Sequence, residues 1–254
     1  MLNSSEPNIK TVPHKFNASL RFSHRLPYEA LFSERIPVLQ AFQCAMGNYL
    51  HERAQSTPNF LQKLGQLINP LSHPFRAVEC GVYTGSSLLA CGLLAHDANI
   101  PFQIIGLDTF TGLPPLSDKD RSLAPEGAKY LKKEVFTDTS MESVQAKIAE
   151  DGLSKHIELR KGLFKDTLPT LADHQYHFVN IDCDLYEPHI ECLEYFYPRM
   201  VKGGVLFFDD YHSIEYPMAG KAIDQFMSDK PEQLSHLRFG KDGANITKSF
   251  FVKY

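Results

Sequence analysis

Residues Arg76–Cys91 read RAVECGVYTGSSLLAC, and this stretch decides the fold. A short, mostly apolar run, Arg76–Glu79, passes through a turn holding Gly81 and Gly85 and enters a helical pattern at Ser86. That is the strand–turn–helix opening of a βαβ unit. Downstream, Gln103–Leu107, Ile157–Arg160, Phe178–Ile181 and Val205–Phe208 read as further strands. Ser86–His96, Met141–Glu150, Glu187–Tyr197 and Ala219–Ser228 read as helices between or after them. Strands alternating with helices imply a mostly parallel sheet covered on both faces. The tail, LRFGKDGANITKSFFVKY, reads as two strands around Lys241-Asp242-Gly243. The expected fold is a doubly wound α/β domain closed by an antiparallel C-terminal hairpin.

Upstream the texture differs. Residues 1 to about 30 are polar and carry Pro7, Pro13 and Pro27, which predicts an arm. Val38, Leu39, Phe42, Met46, Tyr49 and Leu50 recur at helical spacing, predicting a helix from Ile36 to about Ala54, with another near Phe60–Ile68. The expected division is therefore 1–70, an arm with helices serving as acceptor lid or oligomer contacts, and 71–254, the α/β domain. One connection is long: some thirty residues separate Leu107 from Met141, a length typical of a lid, a binding loop or a disordered segment.

The chain has 254 residues, 43% of them hydrophobic and 22% charged, with a net charge of −4. It can bury a full core, and it is too apolar for a disordered chain. No apolar stretch approaches the ~20 residues of a membrane span. The first residues lack the apolar core of a secretory signal, so a cytoplasmic protein is expected. A slightly acidic balance without basic runs argues against nucleic-acid binding. The five cysteines are odd in number and contain no C-x-x-C pair, which suggests buried thiols rather than disulfides or a zinc ribbon.

In doubly wound sheets ligands bind outside the carboxyl ends of the strands, where the winding reverses. The first turn, Glu79-Cys80-Gly81-Val82-Tyr83-Thr84-Gly85-Ser86-Ser87, is E-x-G-x-x-x-G, not the G-x-G-x-x-G of dinucleotide binders. Gly81 and Gly85 would let backbone approach a ligand. Glu79 would repel a pyrophosphate and suit a cofactor carrying an ammonium group. Asp108, ending the second strand about thirty residues later, could accept hydrogen bonds from both hydroxyls of a ribose. Together these residues favour S-adenosylmethionine over a nicotinamide dinucleotide.

Two further strands end in acids: Phe178-Val-Asn-Ile-Asp182-Cys-Asp184-Leu-Tyr186 and Gly204-Val-Leu-Phe-Phe-Asp209-Asp210-Tyr211. If the strands are neighbours, their ends lie about 4.8 Å apart and four carboxylates converge. Such a cluster needs a cation, and hard oxygen donors select Mg²⁺, with Mn²⁺ or Ca²⁺ as alternatives. Turn-forming aspartates would be the plain alternative. His189 and His212 lie nearby in sequence and read as partly exposed loop or helix residues. Tyr186 and Tyr211 could line a sugar-sized pocket or simply pack.

These residues resemble a known family. GLFKDTLP (Gly162–Pro169), IDCDLYE (Ile181–Glu187), Gly203-Gly204, FFDDY (Phe207–Tyr211) and LDTFTGLP (Leu107–Pro114) are similar to motifs of the macrocin O-methyltransferase (TylF/MycF-like) family. The resemblance runs from about Arg76 to Phe226. It implies a class I methyltransferase with a seven-stranded Rossmann-like sheet, using S-adenosylmethionine and Mg²⁺ (or Mn²⁺) to methylate a hydroxyl of a sugar or other small-molecule natural product. By the same resemblance Asp182, Asp209 and Asp210 are metal ligands and Asp184 is the general base. Glu79, Gly81, Tyr83, Gly85, Ser86 and Ser87 form the methionine-binding turn. Asp108 is the ribose acid, and Gly162, Leu163 and Phe164 flank the adenine. Catechol enzymes place a lysine base shortly after the first metal aspartate. Leu185 stands there, which shifts weight to Asp184. A homo-oligomer acting on a small hydroxyl acceptor is implied, with no nucleic-acid or membrane partner. The rival expectations are a metal-independent methyltransferase and a non-catalytic cofactor-binding protein.

Overall fold

The computed structural model describes residues 74–239 and 246–253, together with the isolated positions 62 and 66. Apart from positions 62 and 66, the expected arm, the helices at 36–54 and 60–68, the 1–70 unit, Cys44 and the turn at Lys241–Gly243 lie outside the described residues.

Seven strands form one sheet: β1 (Phe75–Cys80), β2 (Phe102–Asp108), β3 (Ile157–Lys161), β4 (Tyr176–Ile181), β5 (Met200–Phe208), β6 (Ser235–Phe239) and β7 (Ile246–Val252). Their spatial order is β3-β2-β1-β4-β5-β7-β6. The β1–β2, β1–β4, β2–β3 and β4–β5 pairs are parallel, and β7 runs antiparallel to both β5 and β6. The expected hairpin is present, with one difference: its second strand slots inward against β5 and leaves β6 at the edge. Winding reverses between β1 and β4, so the switch point falls where the first turn meets the Asp182 segment.

The described residues form six helices, α1 (Ser86–Asp97), α2 (Asp118–Leu123), α3 (Met141–Glu150), α4 (Phe164–Thr167), α5 (Tyr186–Phe196) and α6 (Pro217–Met227), of which α2 lies in the long connection. Alternation along the strands divides the core in two. Ala77, Phe178, Val205 and Phe207 pack with α1 and α3, while Val78, Val179, Leu206 and Phe208 pack with α5 and α6. A register shift between Tyr176 and Phe178 lets both residues of β4 keep an inward place, on opposite faces. Helix α1 is buried along Leu88–Ala95 because Ala90, Cys91 and Gly92 let it sit close: a Cβ on Gly92 would lie 2.8 Å from Ile157 Cδ1. It ends on Asn99 at φ 53, with Asn99 N–H donating to His96 O and Ile100 N–H to Ala95 O.

The long connection is ordered, not open. It carries α2 and a 3₁₀ turn at Lys129–Leu131, and its Leu113, Leu116, Tyr130, Val135 and Phe136 pack with Tyr186, Tyr216 and Met218 as a third apolar cluster. Ser117 and Asp120 form a capping box on α2. Asp120 then reaches across to accept the Tyr186 N–H at 2.7 Å, capping α5 from a different element. The described cysteines, Cys80, Cys91, Cys183 and Cys192, are free and buried, as expected. Among the described residues no helix is long and apolar enough to cross a membrane.

Candidate functional site

A cavity of about 660 Å³ opens at the carboxyl ends of β1, β2 and β4, within the size range of small-molecule sites. Its floor is the first turn and the segments after β3 and β4; its roof is the long connection. Gly81, Tyr83, Ser86, Ser87, Asp108, Gly162, Leu163 and Phe164, all expected at a cofactor site, line it, as do Asp182 and Asp184. The N-terminus of the twelve-residue α1 faces the same space, through Ser86 and Ser87. Its first backbone N–H groups have no intrahelical partner and favour an anionic group such as a carboxylate.

The glycines serve the protein before any ligand. Gly81 sits at φ +89, and a Cβ there would lie 1.7 Å from the Asp182 carbonyl oxygen. Gly85, at φ +83, faces Val144 Cγ1 at 2.8 Å and does not line the cavity. The two glycines therefore part: Gly81 lines the cavity as well as admitting the Asp182 backbone, whereas the expectation for Gly85 is corrected, since its space is taken by Val144. Tyr83, at φ 49, is held by its hydroxyl to Asp138 at 2.9 Å and by its carbonyl to Thr139 Oγ1 at 2.6 Å, so the loop roof is tied directly to the turn.

Glu79 also differs from expectation. It is buried below the cavity floor and does not line the cavity. Glu79 and Asn180 are register partners in β1 and β4, and Asn180 Nδ2 donates to Glu79 Oε1 at 2.9 Å, alongside the Ser87 hydroxyl. Among the described residues Glu79 Oε2 has no partner. Burial, opposed by the Ser87 and Asn180 hydrogen bonds, raises its carboxyl from 4.5 to about 7. The folded-state value lies above the unfolded one. Its contribution to stability is therefore complete below the unfolded value and is lost as pH rises through about 7, up to about 3 kcal/mol. Glu79→Gln is expected to flatten the fall in melting temperature between about pH 5 and about pH 8. Parallel wild-type and variant curves over that window would show that Glu79 does not titrate there.

Asp108 stands at the cavity wall, engaged by backbone. Its Oδ2 accepts from Val82 N (2.7 Å) and Tyr83 N (2.9 Å), and its Oδ1 from Phe110 N (2.6 Å). It locks the first turn to the end of β2, and remaining lone pairs are all it offers a ribose.

Three of the four carboxylates expected to converge do so, and Asp184 stands apart from their group. β4 and β5 are neighbours, paired Ile181↔Phe208, and carboxylate oxygens of Asp182, Asp209 and Asp210 lie within 4.8 Å of one another. Burial, then Asp209 and Asp210, raise the Asp182 carboxyl well above the ordinary range. Burial, then Asp210 and Asp209, do the same to Asp184. Asp210 rises to about 6 through burial and Asp209, opposed by Lys248. Asp184 adopts φ 60, and its N–H donates to Asp210 Oδ2 at 3.2 Å. Lys248, from β7, pairs with Asp209 Oδ2 and donates to the Asp209 carbonyl at 3.2 Å. The sequence reading did not find Lys248, because strand order had to place β7 beside β5 first.

The remaining candidates pack. His189 is not exposed but fully buried, its Nδ1 2.8 Å from Leu185 O and 3.4 Å from Cys183 Sγ. His212 Nε2 lies 3.3 Å from His236 Nδ1. The Tyr186 hydroxyl donates to Gln225, and that of Tyr211 to Asp224 Oδ1 at 2.6 Å.

A family model described as macrocin-O-methyltransferase (TylF) matches residues 61–235. A mycinamicin III 3''-O-methyltransferase of Micromonospora griseorubida is 31% identical over 142 residues, 54% of this chain and 56% of that protein. A demethyldecarbamoylnovobiocin O-methyltransferase of Streptomyces niveus is 30% identical over 156 residues, 60% of this chain and 58% of that protein. The chain thus spans little more than half the length of these relatives. Among solved structures, the O-methyltransferase NovP superposes with TM-score 0.61 at 22% identity, covering 77% of this chain and 78% of that one. A calicheamicin methyltransferase gives 0.55 at 22% identity, covering 91% and 95%. These two likenesses establish the fold.

Proposed function

Since the chain belongs to the macrocin-O-methyltransferase (TylF) family, we propose that it transfers a methyl group from S-adenosylmethionine to a hydroxyl of a sugar or other small-molecule natural product, aided by Mg²⁺ or Mn²⁺. The observation that carries this reading is the meeting of three carboxylates from two adjoining strand ends beside a ligand-sized cavity. The donor set fits the metal. Oxygens on an octahedral Mg²⁺ lie about 3 to 4.2 Å apart, and the three aspartate oxygens, all within 4.8 Å of one another, need only a small inward movement to meet such an ion.

Asp182, Asp209 and Asp210 would hold the ion, which lowers the pKa of an acceptor hydroxyl beside it. Asp184, at the cavity wall, would take the proton, and the burial that raises its carboxyl makes it a stronger base than an exposed aspartate. The N-terminus of α1 would hold the methionine carboxylate, and Leu163 and Phe164 would cover the adenine. The fold's part is mainly positioning. The proposal extends to a cytoplasmic homo-oligomer whose residues 1–70 help shape the acceptor pocket.

A metal-independent transferase is the second reading, favoured by the Lys248–Asp209 pair, which supplies positive charge without an ion. A thermal-shift matrix of S-adenosylhomocysteine and Mg²⁺, alone and together, separates the two. Stabilisation by the nucleoside that grows with Mg²⁺ and falls back on adding EDTA is the expected result. Nucleoside binding indifferent to both Mg²⁺ and EDTA would replace the metal with Lys248, and the absence of nucleoside binding would end the methyltransferase reading.

A further inference from the structure

A second cavity, of about 220 Å³, lies at the opposite, amino-terminal edge of the sheet, among the first residues of β1, β2, β3 and β4. With β1 six residues long, the two edges are separated by about 20 Å. Arg76, Lys155 and Arg160 line this cavity against one carboxylate, Glu158, which pairs with Arg160. His156 and His174 complete its polar wall, with His156 Nδ1 set 3.3 Å from the Phe102 carbonyl.

Two of its lining groups are unexplained by the protein itself. Tyr176 is 1% exposed, its ring packed edge-on against Phe196 at 5.2 Å, yet among the described residues its hydroxyl has no partner. Arg76 Nε is likewise buried and without a partner. A buried O–H and a buried guanidinium N–H are strong donors, and leaving either unpaired forfeits the hydrogen bond that water would have made. Basic residues at this edge could serve only to offset the C-terminal ends of α1 and α3. That role gives no partner to Tyr176 or Arg76 Nε. The space exceeds the ~30 Å³ share of one water several times over, and three basic side chains line it against one carboxylate.

We propose that this cavity binds a small phosphate-bearing anion, with Arg76 and Tyr176 as its buried donors and Lys155 and Arg160 at its rim. A tetrahedral oxyanion accepts from several directions at once, and arginine is suited to it by its planar fork. The site is remote from the acidic cluster and does not depend on the proposed activity.

The probe is inorganic phosphate, titrated against the full chain at constant ionic strength with chloride as control and followed by melting temperature and ³¹P line width. Glycerol phosphate in a parallel arm distinguishes a monoester from the free ion. Phosphate or its ester is expected to stabilise the protein where chloride does not. Arg76→Met is expected to weaken binding by at least about tenfold through the loss of a charge-assisted bond. Tyr176→Phe should also weaken it, while leaving the phosphate-free protein as stable as the parent or more so. The proposal is overturned if neither phosphate nor ester binds, or if both variants bind as the parent does. It is also overturned if Tyr176→Phe is less stable than the parent without phosphate, since the hydroxyl would then already have a partner.

Discussion

Asp182→Asn is expected to raise the melting temperature of the metal-free protein while abolishing its stabilisation by Mg²⁺. Asp182 lies among Asp184, Asp209 and Asp210, and burial together with their charge holds its carboxyl far above the ordinary range. Without an ion, each carboxylate that ionises there works against the fold. Asparagine keeps the shape and removes the cost of holding or neutralising a carboxyl there, so a gain of about 1–2 kcal/mol, a few degrees at this chain length, is expected. The cost falls on function. With one of the three proposed ligands neutral, Mg²⁺ should no longer shift the melting curve, and the proposed methyl transfer should fall by about 10³-fold or more. Asp184→Asn is the contrasting case, in which Mg²⁺ and S-adenosylhomocysteine still stabilise while transfer falls by about 10²–10⁴-fold. An Asp182→Asn protein that is less stable than wild type, or that still responds to Mg²⁺, would show that the cluster is not built for a cation.

The second large effect concerns folding. Gly81→Ala should destabilise the protein by about 4 kcal/mol or more, two mechanisms acting together. The residue sits at φ +89, and its new methyl would lie 1.7 Å from a backbone oxygen that cannot rotate away. Neither side can yield easily, because Gly81 N–H donates to Leu107 O at 2.9 Å and Asp182 N–H to Cys80 O at 2.8 Å. Gly127→Ala is the control: φ is +78, but nothing lies within 4 Å, so only the backbone cost of about 1 kcal/mol remains. Chemical denaturation of both variants checks the comparison. Equal losses would mean that the Gly81 contact relaxes.

The architecture was legible because its signals are local. Helical stretches such as Met141–Glu150 declare themselves within a few residues and are matched at both ends, whereas the apolar run Val205–Phe208 marks only the second half of β5, which begins at Met200. The acidic cluster was legible for a related reason: two strands ending in aspartates need only be neighbours to bring their side chains together. What stayed hidden depends on pairings between distant segments. Glu79 reads as a cavity residue until the β1–β4 register sets it opposite Asn180, inside the sheet. The packed roof depends on Asp120 meeting the start of α5 sixty-six positions later, which no window of sequence can display. Lys248 reaches Asp209 only because β7 inserts between β5 and β6.

The backbone seam at Gly81 and Asp182 has a bearing on how such a scaffold diversifies. At the seam the Gly81 backbone meets the Asp182 carbonyl directly, and the Ser87 and Asn180 hydrogen bonds to Glu79 tie the same segments below the cavity floor, so exchanges of side chains in the roof leave that spacing unaltered. Under the proposed activity, residues 109–140, which roof the cavity, are free to vary with the acceptor while the floor beneath keeps its spacing. Laboratory evolution toward new substrates would do best to randomise that roof and spare the seam.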